Sequence, residues 1–243
     1  MPRFFVDKKD ITDKEIHITG EDVKHITKVL RLRVGEELEV CDKCGTDYRC
    51  VISSFGDGEV VAEIKESMKN SAEPPVEVTL YQGMPKSDKM DYIIQKCVEL
   101  GISRIVPVIT KRTVSVPKDA EKKTARWQKI AEEAAKQCGR GAIPTVEVAI
   151  DFKEAMRRFA EDNAKNLMPY ECERENSLKT VLKETDGSKF NIFIGPEGGF
   201  DEKEVELAKG SGAKVVTLGP RIMRTETAPL AVVSAIMYEL GDW

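Results

Sequence analysis

Two short runs of this 243-residue chain hold most of the residue types able to cradle a ligand or stabilise charge. The first is IGPEGGF, Ile194 to Phe200, where Gly195, Gly198 and Gly199 allow tight turns and close backbone approach. It follows a strand pattern and precedes a helix pattern, the place where open α/β sheets bind ligands. An ordinary strand-to-helix turn has the same composition, and a lone glycine-rich loop does not separate the two. Glu197 narrows the chemistry, because a carboxylate in the loop repels the phosphates of NAD or ATP from a helix N-terminus. The expected ligand is neutral or cationic, and a sulfonium such as S-adenosylmethionine meets that requirement.

The second run is LGPRIMRTETAPLAVVSAI, Leu218 to Ile236. Arg221 and Arg224 precede Thr225, Glu226 and Thr227, which are placed to cap a final helix with Pro229 in its first turn. A plain alternative makes Glu226 a helix-dipole partner and Arg224 its ion-pair mate. The helix is apolar nearly all round, so burial in a core or a subunit interface is expected, with the interface preferred. A third feature, PKSDK, puts Lys86 and Lys89 at a helix N-terminus that favours acids. Phosphate contact, shared with Lys111, Arg112, Arg126 and Arg140, is one reason for such placement; a solvated charged face is the other.

Much familiar chemistry is excluded. The only histidines, His17 and His25, both lie in the N-terminal part, which reads as a separate small domain, so a Ser-His-Asp or Cys-His device inside the α/β domain is impossible. HExxH, a Walker lysine-serine pair and a full GxGxxG are all missing. Cys41, Cys44 and Cys50 have a suggestive spacing without a near fourth ligand; the expectation is small residues in a strand-turn-strand and no metal.

These runs need a scaffold. Strand patterns at Arg3 to Val6, Glu37 to Cys41, Tyr48 to Ser53 and Glu59 to Ile64, with one helix over residues 21 to 30, predict a small β-barrel. SAEPPVE, residues 71 to 77, breaks regular structure, which predicts domains at 1–72 and 73–243. Strands and helices then alternate, the mark of a parallel α/β sheet. Met90, Ile93, Ile94, Cys97 and Val98 share one helical face, helices follow near 120 to 138 and 151 to 162, and Asp201 is a cap for the helix after the glycine loop.

Composition fits that scaffold, with 41% hydrophobic residues and a net charge of -4. The average argues against a nucleic-acid partner, but the distribution does not. Residues 24 to 33 hold Lys24, Lys28, Arg31 and Arg33 with no acid, and residues 86 to 140 hold 13 basic residues against 7 acidic. No stretch is long and apolar enough for a signal h-region or a membrane span, and a cytoplasmic location is expected.

Taken together, GPEGGF, LGPRIMRTETA, KSDKMDYIIQKCVELGISRIVPVIT, RWQKIAEEAAKQCGR, RFFV and HITKVLRLRVGEELEV resemble the ribosomal small subunit methyltransferase E family (RsmE) of the SPOUT superfamily over nearly the whole chain. The resemblance implies a PUA-like or OB-like RNA-binding barrel before an α/β domain with a deep trefoil knot. It also implies a homodimer, S-adenosylmethionine as methyl donor, and methylation of N3 of a uridine in 16S ribosomal RNA, within the 30S subunit. The implied cofactor contacts are Gly195, Pro196, Glu197, Gly198 and Gly199, then Leu218, Gly219, Ile222, Met223 and Thr225, with Leu167 and Met168 at a further strand end.

Uridine N3 is a poor nucleophile until its proton leaves. Arg224 is expected to stabilise charge on the uracil oxygens, and Glu226 to orient Arg224 or accept the proton. RNA contacts are expected from Lys24, Lys28, Arg31, Arg33, Lys86, Lys89, Lys111, Arg112, Arg140 and Arg221. Two readings compete: the same chemistry on another RNA such as transfer RNA, and a non-catalytic RNA-binding assembly factor. A dinucleotide oxidoreductase is disfavoured by Glu197 and the incomplete fingerprint.

Overall fold

A computed structural model describes residues 1–117 and 119–243 and divides into two compact units. The first comprises Met1–Glu73 together with Ala135–Ile143, and the second Pro74–Ala134 with Pro144–Trp243.

In the first unit, β1 (Arg3–Phe5), β2 (Glu15–Thr19), β3 (Glu37–Cys41), β4 (Thr46–Gly56) and β5 (Glu59–Lys69) form a sheet in the order β1-β3-β4-β5-β2. Only β1 and β3 run parallel. Alternate residues such as Ile16 and Ile18, Leu38 and Val40, and Val60 and Ala62 point into one shared core with Phe4, Cys50 and Ile52. Burial pushes the Cys41 thiol up to about 11 and the Cys50 thiol up to about 12, which keeps both protonated at neutral pH.

The helix expected over residues 21 to 30 is split into α1 (Glu21–Lys24) and a π-helical turn, His25–Leu30. The wider turn carries Leu30 away from the core, and of Val23, Ile26, Thr27 and Leu30, which share one face at α-helical spacing, only Ile26 is fully buried. The turn ends at Arg31, whose φ of 56° is left-handed.

The inserted segment 135–143 is fastened by buried polar groups. Asn70 Nδ2 donates to Asp47 Oδ2 (2.7 Å) and to the Gly139 carbonyl (3.0 Å), while Arg3 donates to Asp47 (2.6 Å) and the Arg140 carbonyl (3.0 Å). Glu73 accepts from Arg140 (2.8 Å), and from the amides of Gly141 (2.9 Å) and Ala142 (3.0 Å). A Cβ on Gly141 would come within 2.7 Å of Asn70 Cγ, so this approach requires glycine. Arg140 is 4% exposed, which corrects its expected role as an RNA contact: its guanidinium is committed to Glu73.

The second unit holds β6 (Glu77–Gly83), α2 (Lys89–Glu99), β7 (Arg104–Ile109), α3 (Ala120–Cys138, whose last residues belong to the first unit), β8 (Thr145–Val146), β9 (Ile150–Asp151), α4 (Phe152–Glu161), β10 (Lys165–Pro169), α5 (Leu178–Lys183), β11 (Lys189–Ile194), α6 (Glu202–Gly210), β12 (Lys214–Val216) and α7 (Ala228–Leu240). The sheet runs β12-β10-β11-β6-β7-β8, with β9 also on β7, and every pairing is parallel. The centre reads as continuous apolar strand because helices cover both faces. From β6 the chain passes to β7 on one side, and from β11 to β12 on the other, so β6 and β11 flank a topological switch point. The α2 face forms as expected, with Met90, Ile93, Ile94, Cys97 and Val98 buried. In α7, Val232, Val233, Ile236 and Met237 are buried within the chain itself, while Tyr238 is 73% exposed.

Replacing Arg140 with alanine leaves Glu73 and two amides without the guanidinium. The expected cost is about 2–3 kcal/mol, read by urea unfolding, with RNA affinity of the folded protein unchanged.

Candidate active site

The C-terminal ends of β10, β11 and β12 surround a cavity of about 400 Å³, the small end of the roughly 300–1,000 Å³ common for small-molecule sites. Its walls are the loops after those strands: Tyr170 and Glu171, Gly195 to Phe200, and Thr217 to Thr225.

The glycine loop is held where it is because side chains are missing at its contacts. A Cβ on Gly83, at the end of β6, would lie 2.6 Å from the Pro196 nitrogen, and one on Gly199 would lie 2.6 Å from Glu171 Oε1. Gly199 also takes a φ of 65° as its amide closes a turn on the Pro196 carbonyl (2.9 Å). Phe200 then inserts edge-on against Phe193 at 5.0 Å, anchoring the loop in the aromatic core. Asp201 and Glu204 form a capping box on α6, and Glu204 also accepts from the Lys111 amide (2.7 Å).

Ion pairs fasten the rim. Lys89 Nζ lies 3.1 Å from Glu197 Oε1 and 3.0 Å from Glu226 Oε2, so one ammonium bridges the two carboxylates. The Lys86 amide donates to Glu197 (3.0 Å), Arg112 to the Gly198 carbonyl (2.7 Å), and Lys111 to Asp201 (2.8 Å). Desolvation pushes both the Glu197 and Glu226 carboxyls up, but backbone amides and Lys89 outweigh it and hold both below the usual carboxylate range. The same two carboxylates raise Lys89.

This arrangement sorts the expected site residues. Gly195, Pro196, Glu197, Gly198, Gly199, Leu218, Gly219, Ile222, Met223 and Thr225 all line the cavity, as do Arg221 and Arg224. Leu167 and Met168 do not: both are buried in β10, and the lining begins with the next residues, Pro169, Tyr170 and Glu171. Lys89, Lys111 and Arg112 each hold an acceptor of the chain itself: Lys89 bridges two carboxylates at a half-buried position, whereas Lys111 and Arg112 are exposed and use one of their donors on Asp201 and on the Gly198 carbonyl. Arg126 pairs with Asp91. Glu226 faces Lys89 and has no direct bond to Arg224, which is exposed and has no ion-pair partner among the described residues. Lys24, Lys28, Arg31, Arg33 and Lys86 are also exposed. Because Glu197 is neutralised by Lys89 and an amide, its power to repel phosphate is weaker than its place in the sequence implies. Gln82, Tyr170 and Glu171 escaped sequence reasoning; the one available signal was a polar Gln82 ending the apolar strand VEVTLYQG.

Comparison with known proteins fits this geometry. A family model described as an RNA methyltransferase domain matches residues 72–237, and one described as an RNA methyltransferase PUA domain matches residues 18–72. Ribosomal RNA small subunit methyltransferase E of Bacillus subtilis is 36% identical, across 98% of this chain and 97% of its own. The chain belongs to the ribosomal RNA small subunit methyltransferase E family.

A crystal structure of the family member from Neisseria gonorrhoeae, bound to S-adenosylmethionine, is 34% identical and covers 100% of this chain and 99% of its own, with a TM-score of 0.90. A methyltransferase from Legionella pneumophila, also with that cofactor bound, is 27% identical over 99% and 98%, with a TM-score of 0.82. The cavity here suits such a sulfonium with its ammonium and carboxylate groups: its lining carries carboxylates at Glu171 and Glu197 and guanidinia at Arg174, Arg221 and Arg224.

The ion contacts at the rim have a pH signature. Depressed carboxyls contribute stability above their ordinary value of 4.5, and that contribution is lost as pH falls through the lower folded values. Lys89→Met is expected to cost about 1–2 kcal/mol at pH 7, and the cost should shrink as pH falls below 4.5 through the lowered values of Glu197 and Glu226; chemical denaturation from pH 7 to below 4.5 reads it.

Proposed function

We propose that this protein methylates N3 of a uridine in 16S ribosomal RNA, with S-adenosylmethionine as donor and the 30S subunit as substrate particle. The observation that carries the reading is the cavity at the ends of β10, β11 and β12, formed by GPEGG and LGPRIMRT in a chain matching the cofactor-bound Neisseria relative end to end. When bound, the cofactor supplies a methyl carbon whose bond to cationic sulfur breaks as the bond to N3 forms.

The chain's own residues prepare the base. Arg224, exposed on the cavity wall and free of ion pairs among the described residues, stabilises negative charge on the uracil oxygens as N3 loses its proton. Glu226 stays ionised at neutral pH and accepts the N3 proton; its lowered pKa makes it a weak base, so Arg224 carries the larger share. Lys24, Lys28, Arg31 and Arg33, exposed around the π-helical turn, contact RNA phosphates, with Arg221 beside the cavity. The reading includes a knotted C-terminal chain, supported by β12 lying beyond β10 although it follows β11. It also includes a homodimer, supported by exposed Tyr92 and Tyr238 on α2 and α7, two helices packed on each other. The protein acts in the cytoplasm, where ribosomes are assembled; among the described residues no helix is long and apolar enough to cross a membrane.

Incubation with labelled cofactor and unmodified 30S subunits, free 16S RNA or transfer RNA, followed by nucleoside mass spectrometry, tests the reaction. N3-methyluridine from the 30S arm is expected. Product only from transfer RNA would move the substrate, and absence of product with intact cofactor binding would favour an assembly factor. Arg224→Ala should slow single-turnover methylation about 10²–10³-fold at saturating cofactor. Near-normal turnover would remove Arg224 from the chemistry.

RNA affinity has its own test. With about five phosphate contacts, affinity for the 30S particle should fall on the order of 100-fold between 50 and 200 mM salt. A salt-insensitive affinity would reject the basic surface.

A further inference from the structure

Gln82, one residue before the end of β6, is fully buried at 0% exposure and has no part in the chemistry above. Its Nε2 donates to the Gly83 carbonyl (2.9 Å) and to Thr225 Oγ1 (3.0 Å), and Thr225 Oγ1 donates onward to the Gly195 carbonyl (2.7 Å). Gln82 Oε1 is buried and has no hydrogen-bond partner among the described residues. A fold that needed only to fill this space would place an apolar side chain here and avoid the orphaned oxygen. What the amide supplies is a donor.

A hydroxyl has one proton, and that of Thr225 is directed to Gly195. Thr225 therefore accepts from Gln82, and the chain of bonds runs one way, from β6 through the loop after β12 to the loop after β11. Those two loops face each other across the cavity, with Gly195 and Thr225 both on its wall. Lys89 ties the same two loops at a half-exposed position through Glu197 and Glu226, whereas Gln82 ties them where water does not reach.

We propose that Gln82 is a positioning residue for the cofactor site: its amide fixes the Thr225 hydroxyl as donor to the Gly195 carbonyl and so sets the separation of the two loops that grip S-adenosylmethionine. The proposal rests on the cofactor reading above and assigns that site its internal support. Met at position 82 has similar length and no donor. Without the donor the hydroxyl is free to rotate, and the loops sample wider separations.

Calorimetric titration of the full chain with S-adenosylmethionine, on the wild type, Gln82→Met, Thr225→Val, the double variant and Thr225→Ser, provides the test. Each of Gln82→Met and Thr225→Val should weaken binding about 10-fold, and the double variant also about 10-fold, because both break one relay. Thr225→Ser keeps the hydroxyl and should bind as the wild type does. In turnover on 30S subunits, KM for the cofactor should rise about 10-fold in Gln82→Met with kcat nearly unchanged, a split that general loosening of the fold would not produce.

Additive losses near 100-fold in the double variant, or wild-type affinity in Gln82→Met, would overturn the relay. If Gln82→Met does not fold, the threonine pair still decides: loss in Val with recovery in Ser supports the relay, and wild-type affinity in Val refutes it. A wild type that binds no S-adenosylmethionine overturns the cofactor reading itself, an outcome separate from failure of the relay.

Discussion

The site depends on one bare contact between backbones. Gly83 ends β6 against the Pro196 peptide so closely that a single methyl group would strike the proline nitrogen. That contact lets the loop after β11 fold across the end of β6, where the sheet's switch point opens a crevice. Once Pro196 is placed there, Gly199 turns back under Glu171, Phe200 drops into the aromatic core, and Asp201 starts α6. Widening the first contact would shift every later anchor, since packed interiors transmit displacement rather than absorb it.

Charge around the cavity divides by what each group already holds. Lys89, Lys111 and Arg112 are cations by composition, yet each gives at least one donor to the chain's own loops, at Glu197, Glu226, Asp201 and the Gly198 carbonyl. They are fasteners for a loop that has few side chains of its own to pack. Arg221 and Arg224 sit on the same cavity wall, exposed and without ion-pair partners among the described residues, so their fields are directed outward. Two similar basic residues around one cavity thus do different work, and the difference lies in the partner rather than in the residue type.

Much of this was legible in the sequence, because the helices and strands of the second unit follow hydrophobic period and caps. The α2 face, α3 and the Asp201 cap lie where the pattern puts them. The short strand β2 and helix α5 escaped, being too brief for periodicity to register. The helix over residues 21 to 30 was half right, since a π-helical turn changes the period partway along. At the site, the two loops announced themselves through glycine and arginine content, but Gln82 did not. Its importance is a matter of which acceptor its amide meets 143 residues later, and no local pattern encodes that. Arg140 failed for the same reason, with Glu73 as its distant partner.

Local charge counts mislead in the same way. Residues 86 to 140 carry 13 basic residues against 7 acidic, which reads as a patch for nucleic acid. Folding brings acids to them from elsewhere: Glu197 and Glu226 to Lys89, Glu147 to Arg104, Asp201 to Lys111, Asp22 to Lys136 and Glu73 to Arg140. The run is therefore largely neutralised within the chain. Lys24, Lys28, Arg31 and Arg33 show no such ion pair among the described residues, exposed around a turn that contains no acid, with exposed Val29 among them and exposed Val34 next to Arg33. A phosphate backbone is attracted to cations whose charge has not been met, so the four residues of the smaller cluster outweigh the larger one. The net charge of -4 is compatible with an RNA substrate for that reason: acids from elsewhere in the chain meet the bases of the larger run, while Lys24, Lys28, Arg31 and Arg33 stay exposed.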